Sequence, residues 1–161
     1  MKAPLFYSKI LLFGEYGIIE DSKGLSIPFN FFKGGLRIGD MSELIEKESN
    51  LNLKKFRDYL LKIEISTVEF DFEKLNLDLN KGMFFDSSIP QGYGVGSSGA
   101  LVAAFYDRYA INKITVLENL TKSKILVLKN IFSAMESFFH GKSSGLDPLN
   151  SYLSLPILIH S

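Results

Sequence analysis

The chain contains no cysteine and no tryptophan. Without thiols, structural disulfides, thiolate metal sites and cysteine nucleophiles are all excluded. It also lacks net charge, since 18 Lys and Arg balance 18 Asp and Glu. That balance removes the electrostatic reason to expect nucleic acid or an anionic membrane as partner, while small anions can still be held by a few local groups. Long apolar runs are missing too. Runs such as residues 10–13 and 125–128 are far too short to span a bilayer. Met1-Lys2-Ala3-Pro4 has neither the apolar core nor the cleavage site of a signal peptide, so a cytoplasmic setting is expected.

What the chain does have is enough apolar material for a core. Of its 161 residues 46% are hydrophobic and 13% aromatic, carried by 14 Phe and 7 Tyr. Such a composition excludes a disordered or collagen-like polymer, and the length suits one domain. Residues 5–13 are rich in aromatic and branched side chains, which predicts a buried strand. Residues 25–32 predict its antiparallel partner, with Pro28 marking an edge or a bulge. Ser42 is placed to cap a helix over 43–63, where Leu44, Ile45, Leu51, Phe56, Leu60 and Leu61 keep helical spacing. Asn50 and Asn52 invite a break in its middle. Alternation of Val68, Phe70 and Phe72 with Glu69 and Asp71 predicts a strand over 67–72, partnered by one over 83–89. Residues 100–110 and roughly 115–139 read as helices, the second stopping at Gly141. The tail from Pro148 reads as a loop, then a strand-like run over 155–159.

Ahead of the helix at Ala100 lies Pro90-Gln-Gly-Tyr-Gly-Val-Gly-Ser-Ser-Gly-Ala100. Gly92, Gly94 and Gly96 let backbone N–H groups approach an anion and adopt positive φ without steric cost. The helix start adds unpaired N–H donors and the positive end of its dipole. Together these predict a polyphosphate cradle, with Ser97 and Ser98 able to cap the helix or reach a phosphate-bound magnesium ion. A P-loop needs a lysine just before its Ser or Thr, and none stands here. A dinucleotide-binding loop belongs after the first strand of a βαβ unit, whereas this loop lies past mid-chain. The plain alternative is a glycine-rich turn that packs a helix against a sheet.

A second constellation is Glu136-Ser-Phe-Phe-His-Gly-Lys-Ser-Ser-Gly-Leu-Asp147. Glu136 and His140, four apart, share a helix face, and Asp147 follows the turn Ser143-Ser144-Gly145. Carboxylates so placed can serve a metal and a proton transfer. Equally, Glu136 can lie on a solvated helix face, Asp147 can stabilise a turn before Pro148, and His140 can answer the helix dipole. Near the N-terminus, Lys9 stands inside the apolar first strand and Glu15 follows Gly14. A lysine there faces either solvent at an edge or phosphate in a cleft.

Taken in order, the three segments resemble the GHMP kinase superfamily, most nearly its mevalonate kinases. Lys9-Ile-Leu-Leu-Phe-Gly-Glu15 is similar to the family's first motif, with Tyr16 where histidine is common. The glycine loop is similar to the second, Pro-x-x-x-Gly-Leu-Gly-Ser-Ser-Ala, with Val95 for Leu and Gly99 for the first Ala. Glu136 and Asp147, eleven residues apart, resemble the stretch from the metal-binding glutamate to the catalytic aspartate. The resemblance implies an α+β fold, a mixed sheet packed by helices, of the ribosomal-protein-domain-2-like kind. It implies ATP-dependent phosphorylation of a small-molecule hydroxyl. Gly92, Gly94, Val95, Gly96, Ser97, Ser98, Gly99 and Ala100 would bind the ATP phosphates, and Ser98 and Glu136 would hold Mg2+. Asp147 would take the substrate's proton, Lys9 would stabilise it and the transferring phosphoryl, and Glu15 and His140 would line the acceptor pocket.

The same resemblance implies that residues 1–161 are the N-terminal ATP-binding domain, the C-terminal GHMP domain and its third glycine motif being absent from this chain. Half a site implies weak nucleotide binding and slow or no turnover by the chain alone. Apolar surface left for a second domain favours a homo-oligomer. Within the family, a sugar or homoserine is the nearest rival acceptor. Outside enzymes, the rival is a non-catalytic nucleotide-binding module.

Overall fold

A computed structural model describes residues 3–13, 23–117 and 119–160, so Glu15 and Tyr16 lie outside the described residues. Strand β1 (Phe6–Phe13) pairs antiparallel with β2 (Lys23–Ile38), as the sequence predicts. β2 does not stop near Phe32 but continues through Gly34 and Gly35. It is the hub of a four-stranded sheet. Its first residues pair with β6 (Ile157–His160) and its last with β4 (Met83–Ser87). Every described pairing is antiparallel, which corrects the expected mixed sheet while leaving the α+β class intact. The cause is topological: the helical connections bring β4 and β6 back beside β2 running the opposite way.

Pro28 faces Lys9 of β1 and falls between the stretches of β2 that pair with β6 and β4. Its missing N–H therefore interrupts at most one described ladder. Just beyond it the register jumps from Ser8–Phe29 to Tyr7–Lys33, so residues 30–32 bulge out and Phe31 is exposed. Ser8 Oγ donates to Phe29 O at 2.7 Å, pinning the start of that bulge.

Helix α1 (Leu44–Lys62) is unbroken and is not capped by Ser42. Ser42 instead donates its N–H to Asp40 Oδ1 at 2.9 Å, and Glu43 takes the cap position without a side-chain bond. Asn50 does not break the helix, because its amide finds distant partners. Buried Nδ2 donates to Leu79 O at 3.0 Å and Met83 O at 2.7 Å. The buried face is Asn50, Leu53, Phe56 and Leu60, leaving Leu44, Ile45, Leu51 and Leu61 exposed.

The expected strand over 67–72 shrinks to β3 (Glu69–Phe70), which pairs with β5 (Ala110–Ile111) rather than with β4. Asp71 explains the change. Its Oδ1 accepts the Lys74 N–H at 2.9 Å and starts α2 (Phe72–Asn80), a helix the alternating pattern concealed. Helix α3 (Ser97–Tyr109) runs through the core with Val102, Ala103, Phe105 and Tyr106 buried. Helix α4 (Lys122–His140) starts later than expected, where Thr121 Oγ1 accepts the Lys124 N–H at 3.2 Å, and ends at Gly141. The expected loop after Gly145 is instead α5 (Leu146–Leu153), which packs against α3, α4, β1 and β2. A Cβ at Gly145, where φ is +77°, would lie 2.2 Å from Lys129 O, so glycine is what allows α5 to begin this close to α4.

Candidate active site

The glycine loop joins β4 to α3 and is tied to β1, where the Lys9 N–H donates to Val95 O at 3.0 Å. Gly92, Gly94 and Gly96 hold φ of +80°, +69° and +84°. At Gly92 and Gly94 a Cβ would meet nothing within 4 Å, so these two positions need glycine for conformation rather than for space. At Gly96 a Cβ would also come within 3.1 Å of Lys9 Cγ. Gly96 is the N-cap of α3 and offers no side chain to satisfy the helix start. The Ala100 N–H makes the first helical bond, to Gly96 O at 3.0 Å. The N–H groups of Ser97, Ser98 and Gly99 precede that bond and have no helical carbonyl to reach. Ala100 is fully buried and supports the cradle by packing.

Ser98, Glu136 and His140 are brought together. Ser98 Oγ donates to Glu136 Oε1 at 3.0 Å and lies 2.9 Å from His140 Nε2. A hydroxyl has one proton to give, so with Glu136 taking it, His140 is the donor through Nε2–H. The other carboxylate oxygen, Oε2, accepts the Ser143 hydroxyl. Glu136 is only 3% exposed, which removes the alternative of a solvated helix face. Burial raises its carboxyl above the ordinary range. The bond from Ser143 opposes that rise, the Asp147 charge adds to it, and Ser98 and His140 oppose it again.

Lys9 and Asp147 are also brought together, with Nζ 3.1 Å from Oδ1. The Lys9 side chain is 12% exposed, so it faces the site and not open solvent. Asp147 lies in the first turn of α5, the favoured end for a carboxylate. Gly99 sets how near it comes. A Cβ there would fall 2.8 Å from Asp147 C and 2.9 Å from Pro148 N.

These groups open on a cleft of about 880 Å3 that the loop shares with Ser98, His140 and Asp147. Its far wall is made by Glu48, Ser49 and Asn52 of α1 and by Phe85 of β4. None of these four stood out in the sequence, because their residue types are ordinary for a helix or strand. Nor did Ser143, whose only local signal is a place in a serine-glycine turn.

The cradle's open N–H groups and positive φ fit an anionic phosphate chain. Ser98 Oγ and the Glu136 carboxylate are hard oxygen donors that fit Mg2+. Among the described residues no three acidic, histidine or cysteine side chains gather to hold a metal unaided, so phosphate oxygens and water would complete the shell. Among the same residues, no helix is long and apolar enough to cross a membrane.

The described residues thus form an antiparallel α+β domain with a glycine-rich loop at a helix start. Residues 53–154 match the family described as GHMP kinases N terminal domain, and the chain belongs to that family. Among solved structures it is similar to the crystal structure of a mevalonate kinase from methicillin-resistant Staphylococcus aureus. That match has 21% identity and a TM-score of 0.48, over 97% of this chain and 53% of the other. The chain thus spans about half the length of the solved structure it matches. Among curated proteins, no sequence matches it.

Proposed function

We propose that the chain is the ATP-binding, N-terminal half of a kinase that transfers the terminal phosphoryl group of ATP to a hydroxyl of a small molecule. The observation that carries this reading is the Lys9–Asp147 pair, 3.1 Å apart, whose aspartate lines the same cleft as the cradle. Phosphoryl transfer asks for charge neutralisation and in-line placement more than for covalent chemistry, and a lysine held beside a carboxylate suits the first.

The N–H groups of the loop and of the α3 start hold the phosphates. Ser98 and Glu136 would hold Mg2+, which would supply neutralising positive charge. Asp147 accepts the acceptor's hydroxyl proton as its oxygen bonds to the terminal phosphorus and the bond to the bridging oxygen breaks. Lys9 holds the Asp147 carboxylate in place and stabilises the transferring group. His140, beside Ser98, orients that hydroxyl and borders the acceptor side, with Glu15 assigned there by its motif alone. Mevalonate is the first acceptor to try, because the Lys9 motif and the Glu136-to-Asp147 spacing resemble that branch.

In this reading a second domain closes the site. Leu12, Phe13, Phe31 and Leu158, all exposed, are apolar side chains for that domain or a second copy to cover. The 161-residue chain alone then binds nucleotide weakly and turns over slowly or not at all. Its neutral balance argues against nucleic acid, and a cytoplasmic setting belongs to this reading. The deciding experiment measures ADP formation with a panel of hydroxyl acceptors, using a chain extended through the second domain. Acceptor-dependent turnover is expected. Full activity in Asp147→Asn would sink the assignment.

A further inference from the structure

Ser143 lies in the turn between α4 and α5, and its polar contacts run in three directions. Its Oγ donates to Glu136 Oε2. The same Oγ accepts the Gly145 N–H at 3.1 Å, and its carbonyl accepts the Ser133 hydroxyl at 2.6 Å. With Gly145 supplying a donor, the single Ser143 proton goes to the carboxylate. Gly145 is itself pressed against α4, since a Cβ would stand 2.7 Å from Ser133 N. Ser143 is therefore held by α4 on one side and by the residue before α5 on the other.

Glu136 depends on such a hold. It is buried, and its other oxygen already takes the Ser98 hydroxyl. The terminal torsion of a glutamate is broad, so one hydrogen bond alone leaves the carboxylate plane loosely set. The second bond, from Ser143, fixes it.

We propose that Ser143 is a positioning residue: it aims Glu136 at the cation accompanying the nucleotide and links that aim to the start of the helix carrying Asp147. The inference rests on reading Ser98 and Glu136 as ligands of that cation. Groups that orient a metal-binding carboxylate commonly control metal affinity by about tenfold or more.

The test is calorimetric titration of the chain with ADP, once with Mg2+ and once in EDTA. Native chain, Ser143→Ala, Ser143→Thr and Glu136→Gln are compared. Mg2+ should tighten ADP binding to the native chain, and Ser143→Ala should lose about tenfold of that gain. Its Kd in EDTA should not change. Ser143→Thr keeps the hydroxyl and should recover most of the gain. Adding Ser143→Ala to Glu136→Gln should cost nothing further. If the alanine variant does not fold, Ser143→Cys, of similar volume and weaker donor strength, should show the same loss. An intact Mg2+ gain in Ser143→Ala, or equal losses with and without Mg2+, overturns the proposal. No Mg2+ gain in the native chain is a separate failure: it removes the cation reading of Ser98 and Glu136, and this inference with it.

Discussion

Lys9 Nζ, on the first strand, lies 3.1 Å from Asp147 Oδ1, at the start of the last helix. The contact joins the two ends of the chain across the mouth of the glycine loop, whose Val95 carbonyl accepts the Lys9 N–H. A mobile lysine is thereby anchored at backbone and head group together. In the function proposed above, its charge would stabilise the phosphoryl group in transfer.

Asp147→Asn should lower kcat by about 10²- to 10⁴-fold in a catalytically complete chain, the usual contribution of a positioned general base. Nucleotide affinity should be nearly unchanged, because the role proposed for Asp147 is toward the acceptor hydroxyl. Steady-state kinetics with separate nucleotide titration checks both. A fall in affinity with kcat intact would reassign the residue.

Gly99→Ala tests how closely α5 approaches the cradle. The new methyl would stand 2.8 Å from the Asp147 carbonyl carbon and 2.9 Å from Pro148 N, both backbone atoms. Such overpacking costs about 1–3 kcal/mol. A drop in Tm is expected, together with slower turnover as Asp147 is pushed from its place. An unchanged Tm would mean that α5 shifts at no cost.

Asn50→Leu should destabilise the chain by about 1–3 kcal/mol, because the Leu79 and Met83 carbonyls lose the amide that bonds both. Urea unfolding measures it. A leucine that leaves the unfolding midpoint where it was would show that water satisfies those carbonyls.

Burial raises the Glu136 carboxyl, so between the ordinary carboxylate range and the raised value the folded chain keeps a proton that the unfolded chain releases. The folded state binds more protons in that window, and stability therefore falls as pH rises through it. Glu136→Gln removes this slope. Unfolding followed from about pH 4 to about pH 8 without metal should show the glutamine variant gaining on the native chain as pH rises. Parallel stability curves would contradict the raised carboxyl.

Much of the site was legible because its signals are local. Three alternating glycines before a helix start mark a candidate cradle within a few residues, and Lys9, Glu136 and Asp147 stand out as charges at meaningful spacings. The surrounding elements were less legible. Phe70 and Phe72 alternate like a strand, yet Asp71 caps a helix between them. The apolar residues of α1 keep helical spacing, yet its buried face is centred on Asn50, Leu53, Phe56 and Leu60.

What the sequence by itself determined was the loop, the helix that follows it and the identity of the charged groups. Backbone preferences act over a few residues, so they can be read from a few residues. Only the tertiary structure decided which charges meet, which polar side chains are buried and which walls enclose the cleft. It buried Glu136, gave Asn50 two distant carbonyls, started α5 against α4 at Gly145, and set Ser143 between them. Those outcomes depend on desolvation and on hydrogen-bond partners from other segments, and no window along the chain contains them.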